Sequence, residues 1–198
     1  MGTRIEERFT VKAPAGAVWN YLIDPKRVVH CLPGAELTEV VDERTFHGAV
    51  KVKVGPVTVG YKGKVVMAEV DAAGRKVRMT GEGRESTGAG QAKMNMESRV
   101  TELPGGETEV VVAAEVDVVG RLVQLGRGMI EQVSHQVFQQ FADCVRGTLE
   151  AEAVAAASGA PAAAPLAPRE AKPLAALPLL FRALWAWIKS LFKPRPTP

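Results

Sequence analysis

The sequence predicts an α+β domain in which a curved antiparallel sheet wraps a long C-terminal helix. Two observations lead to this prediction. Segments in which apolar and polar residues alternate, separated by short turn sequences, fill most of the chain up to Val119. From Gly120 onward the apolar residues recur every three or four positions instead, as on one face of a helix. A domain of about 150 residues can bury one substantial core.

The N-terminal elements are a strand and two short helices. Residues 3–13 alternate closely enough for a half-buried strand, and Pro14 suits the first turn of a helix. Asp24-Pro25 ends that helix, a second one is predicted around residues 27–31, and Pro33-Gly34 forms a turn.

Six further strands are predicted, with connections short enough for hairpins. They cover residues 35–41, 45–54, 57–70, 76–85, 92–103 and 108–119. Val50, Val52 and Val54 alternate with Lys51 and Lys53, which predicts one apolar and one solvated sheet face.

The last element of the domain is predicted as one amphipathic helix over residues 120–152. Gly126 and Gly128 fall inside it, where each costs about 1 kcal/mol relative to alanine. Close packing would explain these glycines, and so would space for a ligand at a cavity mouth.

The two cysteines, Cys31 and Cys144, form no Cys-x-x-Cys pair and lie in different predicted elements. Neither a zinc site nor a redox dithiol is therefore predicted, and a reduced, cytosolic compartment is expected. The N-terminus lacks the apolar region of a secretory signal, which also favours a domain inside the cell.

Charge divides the chain into a neutral domain and a basic tail. Residues 1–150 carry a formal net charge of −1 and residues 151–198 one of +4. A nucleic-acid-binding domain would carry a basic patch with aromatic residues, so no nucleic-acid partner is predicted.

Residues 153–178 are mostly alanine, interrupted by five prolines, and are predicted to form a flexible linker between the domain at 1–152 and a segment at 179–198.

The C-terminal segment is predicted to be an amphipathic membrane-binding helix. Three cationic residues fall within a sector of about 40°, opposite a broad apolar face. Its 15 central residues span only ~22 Å, too short for the ~30 Å hydrocarbon core, so the helix should lie at a surface of anionic lipid. The residues expected to bind membrane are Phe181, Arg182, Leu184, Trp185, Trp187, Ile188, Lys189, Leu191, Phe192 and Lys193. Packing on its own domain, on a second copy or in the groove of a partner protein are the alternatives.

Catalytic patterns are missing from the sequence. The histidines His30, His47 and His135 are scattered, and neither a Gly-x-Ser-x-Gly motif nor a P-loop occurs. A protein without catalytic residues, bound metal or covalently attached cofactor is therefore expected. Several methionines share apolar strand faces, which suits either an irregular apolar ligand or ordinary core packing.

Five short motifs give the chain a family resemblance over residues 3–150. They are Cys31-Leu32-Pro33-Gly34-Ala35, Val50-Lys51-Val52-Lys53-Val54-Gly55-Pro56, Tyr61-Lys62-Gly63, Gly81-Glu82-Gly83 and Gly120-Arg121-Leu122-Val123-Gln124-Leu125-Gly126-Arg127. The sequence resembles the family of the carbon monoxide dehydrogenase G subunit, within the START-like (SRPBCC) superfamily.

The resemblance implies a helix-grip fold with an apolar tunnel, and no catalytic residue to carry over. The residues expected to line that tunnel are Tyr61, Met67, Met79, Met94, Met96, Val116, Leu122, Leu125 and Met129. Tyr61 would offer its hydroxyl to a quinone carbonyl.

The family accompanies molybdenum-containing dehydrogenases and is linked to their membrane association. We therefore expect a carrier of an isoprenoid quinone that attaches peripherally to the inner face of the cell membrane and serves such a dehydrogenase. A pure recruitment factor, an assembly factor and a cyclase-like enzyme are the alternatives.

Overall fold

The computed structural model describes residues 2–54, 57–88 and 90–157. The chain begins with strand β1, two short helices and a 3-10 turn, continues through six strands, and ends in a second 3-10 turn and a long helix. The elements are β1 (Gly2–Val11), α1 (Ala15–Leu22), α2 (Pro25–Val28), a 3-10 turn (Val29–Cys31), β2 (Ala35–Val40), β3 (Thr45–Val54), β4 (Val57–Asp71), β5 (Lys76–Glu85), β6 (Gln91–Glu102), β7 (Thr108–Val119), a 3-10 turn (Arg121–Leu125) and α3 (Arg127–Ala157). Strand boundaries agree with the sequence prediction to within about two residues at each end.

The seven strands form one antiparallel sheet in the order β1-β7-β6-β5-β4-β3-β2. From β2 to β7 each strand pairs with its neighbour in sequence, as short hairpin connections require, while β1 pairs with β7. The two short helices between β1 and β2 therefore bridge the two edges of the sheet. The predicted α+β class, with a curved antiparallel sheet and a long C-terminal helix, is confirmed.

The core lies where α1 and the C-terminal half of α3 meet one end of the sheet. Leu149, Val145 and Val11 are fully buried there. The ring of Phe9 packs edge-on against Phe138 and Phe141, with centroids 5.8 and 6.1 Å away. The opposite end of the sheet's inner face extends away from this cluster, and the candidate site is found there.

The prediction of one helix over residues 120–152 is wrong at its start. A 3-10 turn and Gly126 precede α3. Leu122 and Leu125 therefore do not belong to the same helix as Met129. Gly126 has a φ of 80°, a left-handed conformation that favours glycine and interrupts the regular helix. At its other end α3 continues to Ala157, through the first residues of the predicted linker.

The two cysteines, for which the sequence indicates neither a zinc site nor a redox dithiol, are joined in the structure. Cys31 and Cys144 form a disulfide with 5.3 Å between their Cα atoms, across a sequence separation of 113 residues. The 3-10 turn before β2 packs against α3, which brings the two side chains together. Spacing in the sequence says nothing about such a long-range approach.

None of the helices within the described ranges is long and apolar enough to cross a membrane. The linker beyond Ala157 and the ten residues expected to bind membrane, between Phe181 and Lys193, lie outside the described residues.

Candidate functional site

The candidate site is the part of the sheet's inner face that α1 and the C-terminal half of α3 do not fill. Strand alternation and register bring six of the nine expected tunnel residues onto this face. Met67, Met79 and Met96 lie side by side on β4, β5 and β6. Met94 lies opposite both Gly81 and Val116 in the neighbouring row. Tyr61 occupies the far end of the same face of β4.

Burial divides these residues into two groups. Met67 is 5% exposed and belongs to the hydrophobic core, as the packing alternative for the methionines anticipated. Met79 is half-buried and packs against this core. Met94, Met96 and Val116 are half-buried on the inner face away from the core cluster. Their partial exposure marks an apolar surface that the described helices leave partly uncovered.

The other three expected residues come from the 3-10 turn after β7 and from the start of α3. Leu122 is half-buried on the 3-10 turn, and Leu125 ends that turn. Met129, in the first turn of α3, is 41% exposed, so it lies at the rim of the site rather than within it.

Between the methionines and Tyr61, glycines leave the inner face without side chains. Gly63 and Gly83 are paired across β4 and β5, and a Cβ atom at Gly63 would lie 2.1 Å from the Glu82 carbonyl oxygen. No other residue fits there without a backbone shift. The backbone itself is therefore the wall of the site at this point.

Tyr61, Glu85 and Arg121 form a polar group at the far end of the inner face. Glu85 pairs with Tyr61 across the strands, and only 3% of its surface is exposed. The Arg121 guanidinium donates from Nε to Glu85 Oε1 over 3.0 Å, and its Nη2 donates to the same oxygen. Nη2 also lies 3.4 Å from the Thr87 hydroxyl.

Two buried polar atoms of this group, the Tyr61 hydroxyl and Glu85 Oε2, have no hydrogen-bond partner within the described residues. The Arg121 hydrogen bond, supported by the nearby Thr87 hydroxyl, holds the pKa of Glu85 below its usual value, so this carboxylate is ionised at neutral pH. Burial, with the nearby Glu85 charge, raises the pKa of Tyr61, which keeps its proton available for donation. One donor and one acceptor are therefore buried without a partner on two adjacent strands.

Glu85 and Arg121 were missed in the sequence, although one signal for Glu85 was present. Val77, Met79, Gly81 and Gly83 alternate along β5, and continuing that alternation places Glu85 on the apolar face. Arg121 had no such signal, because its partner depends on how the 3-10 turn returns to the sheet.

A groove of about 570 Å³ lies on the other, solvent-facing side of the central strands. Its lining includes the charged residues Lys62, Lys64, Glu82 and Arg84, and it shares Gly63 and Gly83 with the inner face. None of the nine expected tunnel residues lines it. Its charged walls do not suit an apolar ligand.

No cluster of three or more metal-ligating side chains occurs within residues 2–54, 57–88 and 90–157. Two of the histidines pair with single carboxylates at the surface. His47 Nδ1 lies 2.9 Å from Glu39, and His135 Nδ1 lies 2.6 Å from Glu7.

The family model of the carbon monoxide dehydrogenase G subunit (CoxG) matches residues 8–150. The chain belongs to this family. The match covers every strand except the start of β1, together with α3 up to Glu150. The CoxG resemblance of the sequence motifs is thereby confirmed.

Solved structures with the same fold accompany this assignment. A conserved protein from Geobacillus kaustophilus is 16% identical with a TM-score of 0.68, covering 75% of this chain and 95% of its own. The Zhui aromatase/cyclase from Streptomyces sp. R1128 is 19% identical with a TM-score of 0.60, covering 79% and 98%. A START superfamily protein from Mycobacterium smegmatis is 15% identical with a TM-score of 0.53, covering 74% and 97%. At such identities the likeness establishes the START-like helix-grip fold alone.

None of the curated protein sequences matches the chain significantly.

Proposed function

We propose that this CoxG-family protein is a non-enzymatic carrier of an apolar lipid, an isoprenoid quinone, for a molybdenum-containing dehydrogenase of the carbon monoxide dehydrogenase type. The observation that carries the proposal is the half-buried methionine and valine surface on the inner face, which ends in a polar group with unused hydrogen-bonding capacity. A quinone has the matching shape, with an apolar chain and ring and oxygen atoms at one end. Flexible thioether side chains accommodate such irregular apolar ligands.

The energetics suit a carrier better than a permanent binding protein. Removing apolar surface from water yields roughly 25 cal/mol per Å², which favours a bound quinone over one in bulk solvent. Lipid tails offer the same gain, so transfer between membrane and protein is nearly balanced. A reversible exchange of the ligand requires that balance.

The C-terminal segment supplies the membrane attachment in this proposal. Its cationic sector and Trp/Phe/Leu face suit a helix at the surface of anionic lipid, and the alanine- and proline-rich linker lets the domain move between membrane and dehydrogenase. We place the protein peripherally at the cytoplasmic inner face of the membrane.

In a reducing cytoplasm Cys31 and Cys144 would be thiols. The proposal therefore requires that quinone delivery survives reduction of the disulfide.

The test mixes quinone-containing liposomes with the purified dehydrogenase, its substrate and full-length protein, with and without reductant. Quinone reduction should be faster with the protein than without it, and a variant lacking residues 174–198 serves as the control for membrane attachment. Lipid extraction and mass spectrometry of the purified full-length chain should also detect a bound quinone. Equal rates with and without the protein would exclude delivery and favour recruitment or assembly of the dehydrogenase without ligand transfer.

A further inference from the structure

The polar end of the inner face contains two buried atoms that nothing in the described part of the chain satisfies. The Tyr61 hydroxyl belongs to a residue that is 7% exposed, and the Glu85 side chain is 1% exposed. Buried polar groups are almost always hydrogen-bonded, so two unpartnered atoms on adjacent strands call for an explanation.

Arg121 determines which partner Glu85 can take. Its guanidinium already donates two hydrogen bonds to Oε1, which leaves Oε2 as the free oxygen of an ionised carboxylate. An ionised carboxylate only accepts hydrogen bonds, so Oε2 requires a donor. The Tyr61 hydroxyl, in contrast, has a proton to donate and requires an acceptor.

A single hydroxyl group has the chemistry to meet both requirements, because Tyr61 and Glu85 are directly paired across β4 and β5. Its oxygen accepts from Tyr61 while its proton is donated to Glu85 Oε2. A carbonyl oxygen would serve Tyr61 and leave Glu85 unpaired, an ammonium group would do the reverse, and an anion would be repelled by the Glu85 charge.

We propose that Tyr61 and Glu85 form a subsite that recognises a neutral hydroxyl group at the end of an apolar ligand, with Arg121 as the positioning residue. This inference rests on the proposed carrier function and names the chemistry of its polar end. The hydroquinone, which carries hydroxyl groups, is bound more tightly than the quinone, which carries carbonyls, so the protein is suited to returning the reduced product to the membrane.

The test uses three probes that share a ring system, namely 2-naphthol, 2-methoxynaphthalene and naphthalene. Their dissociation constants for the full-length, delipidated protein are measured by titration calorimetry at pH 7. Because a hydrogen bond to a charged group is worth about 10- to 100-fold in affinity, 2-naphthol should bind more tightly than 2-methoxynaphthalene by that factor. Methylation removes the donor and leaves the acceptor oxygen.

Two conservative variants test whether Tyr61 and Glu85 bind the hydroxyl group. A third variant controls for the loss of a negative charge. Tyr61→Phe and Glu85→Gln should each reduce the preference for 2-naphthol to about 3-fold or less. Glu82→Gln removes an exposed carboxylate from the outer face of the same strand and should keep the full preference. Circular dichroism and thermal unfolding confirm that each variant is folded, and the comparison of probes on the unaltered protein stands without any variant.

Three outcomes would overturn the subsite. Equal binding of 2-naphthol and 2-methoxynaphthalene to the unaltered protein would mean that water satisfies the Tyr61 hydroxyl and Glu85 Oε2. If all three probes bind equally, the subsite is wrong but the carrier proposal stands. A preference that persists in both variants would place hydroxyl recognition elsewhere. Failure of all three probes to bind would overturn the subsite and the apolar carrier together.

Discussion

Met67 and Met94 differ in burial although both side chains lie on the inner face of the sheet. Met67 is buried in the core cluster, and Met94 is half-buried opposite Gly81. Met67→Ala should lower the free energy of unfolding by about 2–4 kcal/mol, since it leaves a cavity in a packed region. Met94→Ala should lower it by about 1 kcal/mol or less. Urea denaturation measures both, and equal losses would contradict the division between core and site.

Glu85 should make stability depend on pH. Its pKa is lowered in the folded protein, chiefly by the Arg121 hydrogen bond, so ionised Glu85 stabilises the fold above its unfolded pKa of about 4.3. This contribution is lost as the pH falls through the lower folded pKa. The difference in free energy of unfolding between the unaltered protein and Glu85→Gln should therefore narrow below about pH 4.

Urea denaturation at a series of pH values measures that difference. Glu82→Gln is the control, because replacing an exposed carboxylate should change stability by less than about 0.5 kcal/mol at pH 7. A difference for Glu85→Gln that stays constant down to pH 3 would contradict the role of the Arg121 contact.

At the scale of elements, α3 is attached to the short helices of the N-terminal region at two places. The Cys31–Cys144 disulfide joins it to the 3-10 turn after α2. The Arg27 guanidinium forms an ion pair with Glu152 over 2.5 Å and stacks on the Tyr21 ring with 4.5 Å to the ring centroid. Both contacts hold the C-terminal half of α3 against the core, whereas Met129 at its N-terminal end stays exposed.

Breaking the disulfide should destabilise the domain without changing its fold. A cross-link over 113 residues restricts the unfolded chain strongly, so reduction should lower the free energy of unfolding by about 3–5 kcal/mol. Urea denaturation with and without reductant measures this change. The double variant Cys31→Ala, Cys144→Ala is the control and should not respond to reductant. An unaltered protein that is equally stable in both conditions would show that the bond does not form in solution.

Residues 179–198, beyond the domain, are expected to bind the membrane. Deleting residues 174–198 should leave a folded domain but abolish co-sedimentation with anionic liposomes, because the deletion removes the cationic and apolar faces together. Trp187→Glu should act similarly by placing a charge in the apolar face, while Trp187→Leu should retain binding. Rising salt should weaken binding through screening. Undiminished sedimentation of the deleted protein would move the membrane-binding surface to the domain.

Alternation in the sequence is enough to locate the strands and, along β5, the face on which the apolar side chains lie. Alternation is a local property, so Val77, Met79, Gly81 and Gly83 could be assigned to one face of β5 before any pairing was known. Turn residues between short strands then made each hairpin the simplest connection, and the order of β2 to β7 followed. The end of α3 was less well defined, because its alanines are compatible with either helix or linker.

Which distant residues meet depends on how whole elements pack against one another, and local patterns do not encode this. The approach of Cys31 to Cys144 depends on how α3 packs against the turn before β2, and the contact of Arg121 with Glu85 depends on the path of the chain after Gly120. Gly120 and Gly126, both with φ in the left-handed region, set that path, and their conformation cannot be read from apolar spacing. The spacing of apolar residues shows only which face of one strand or helix is buried. The group of Tyr61, Glu85 and Arg121 depends on the register between β4 and β5 and on the direction of the chain after Gly120.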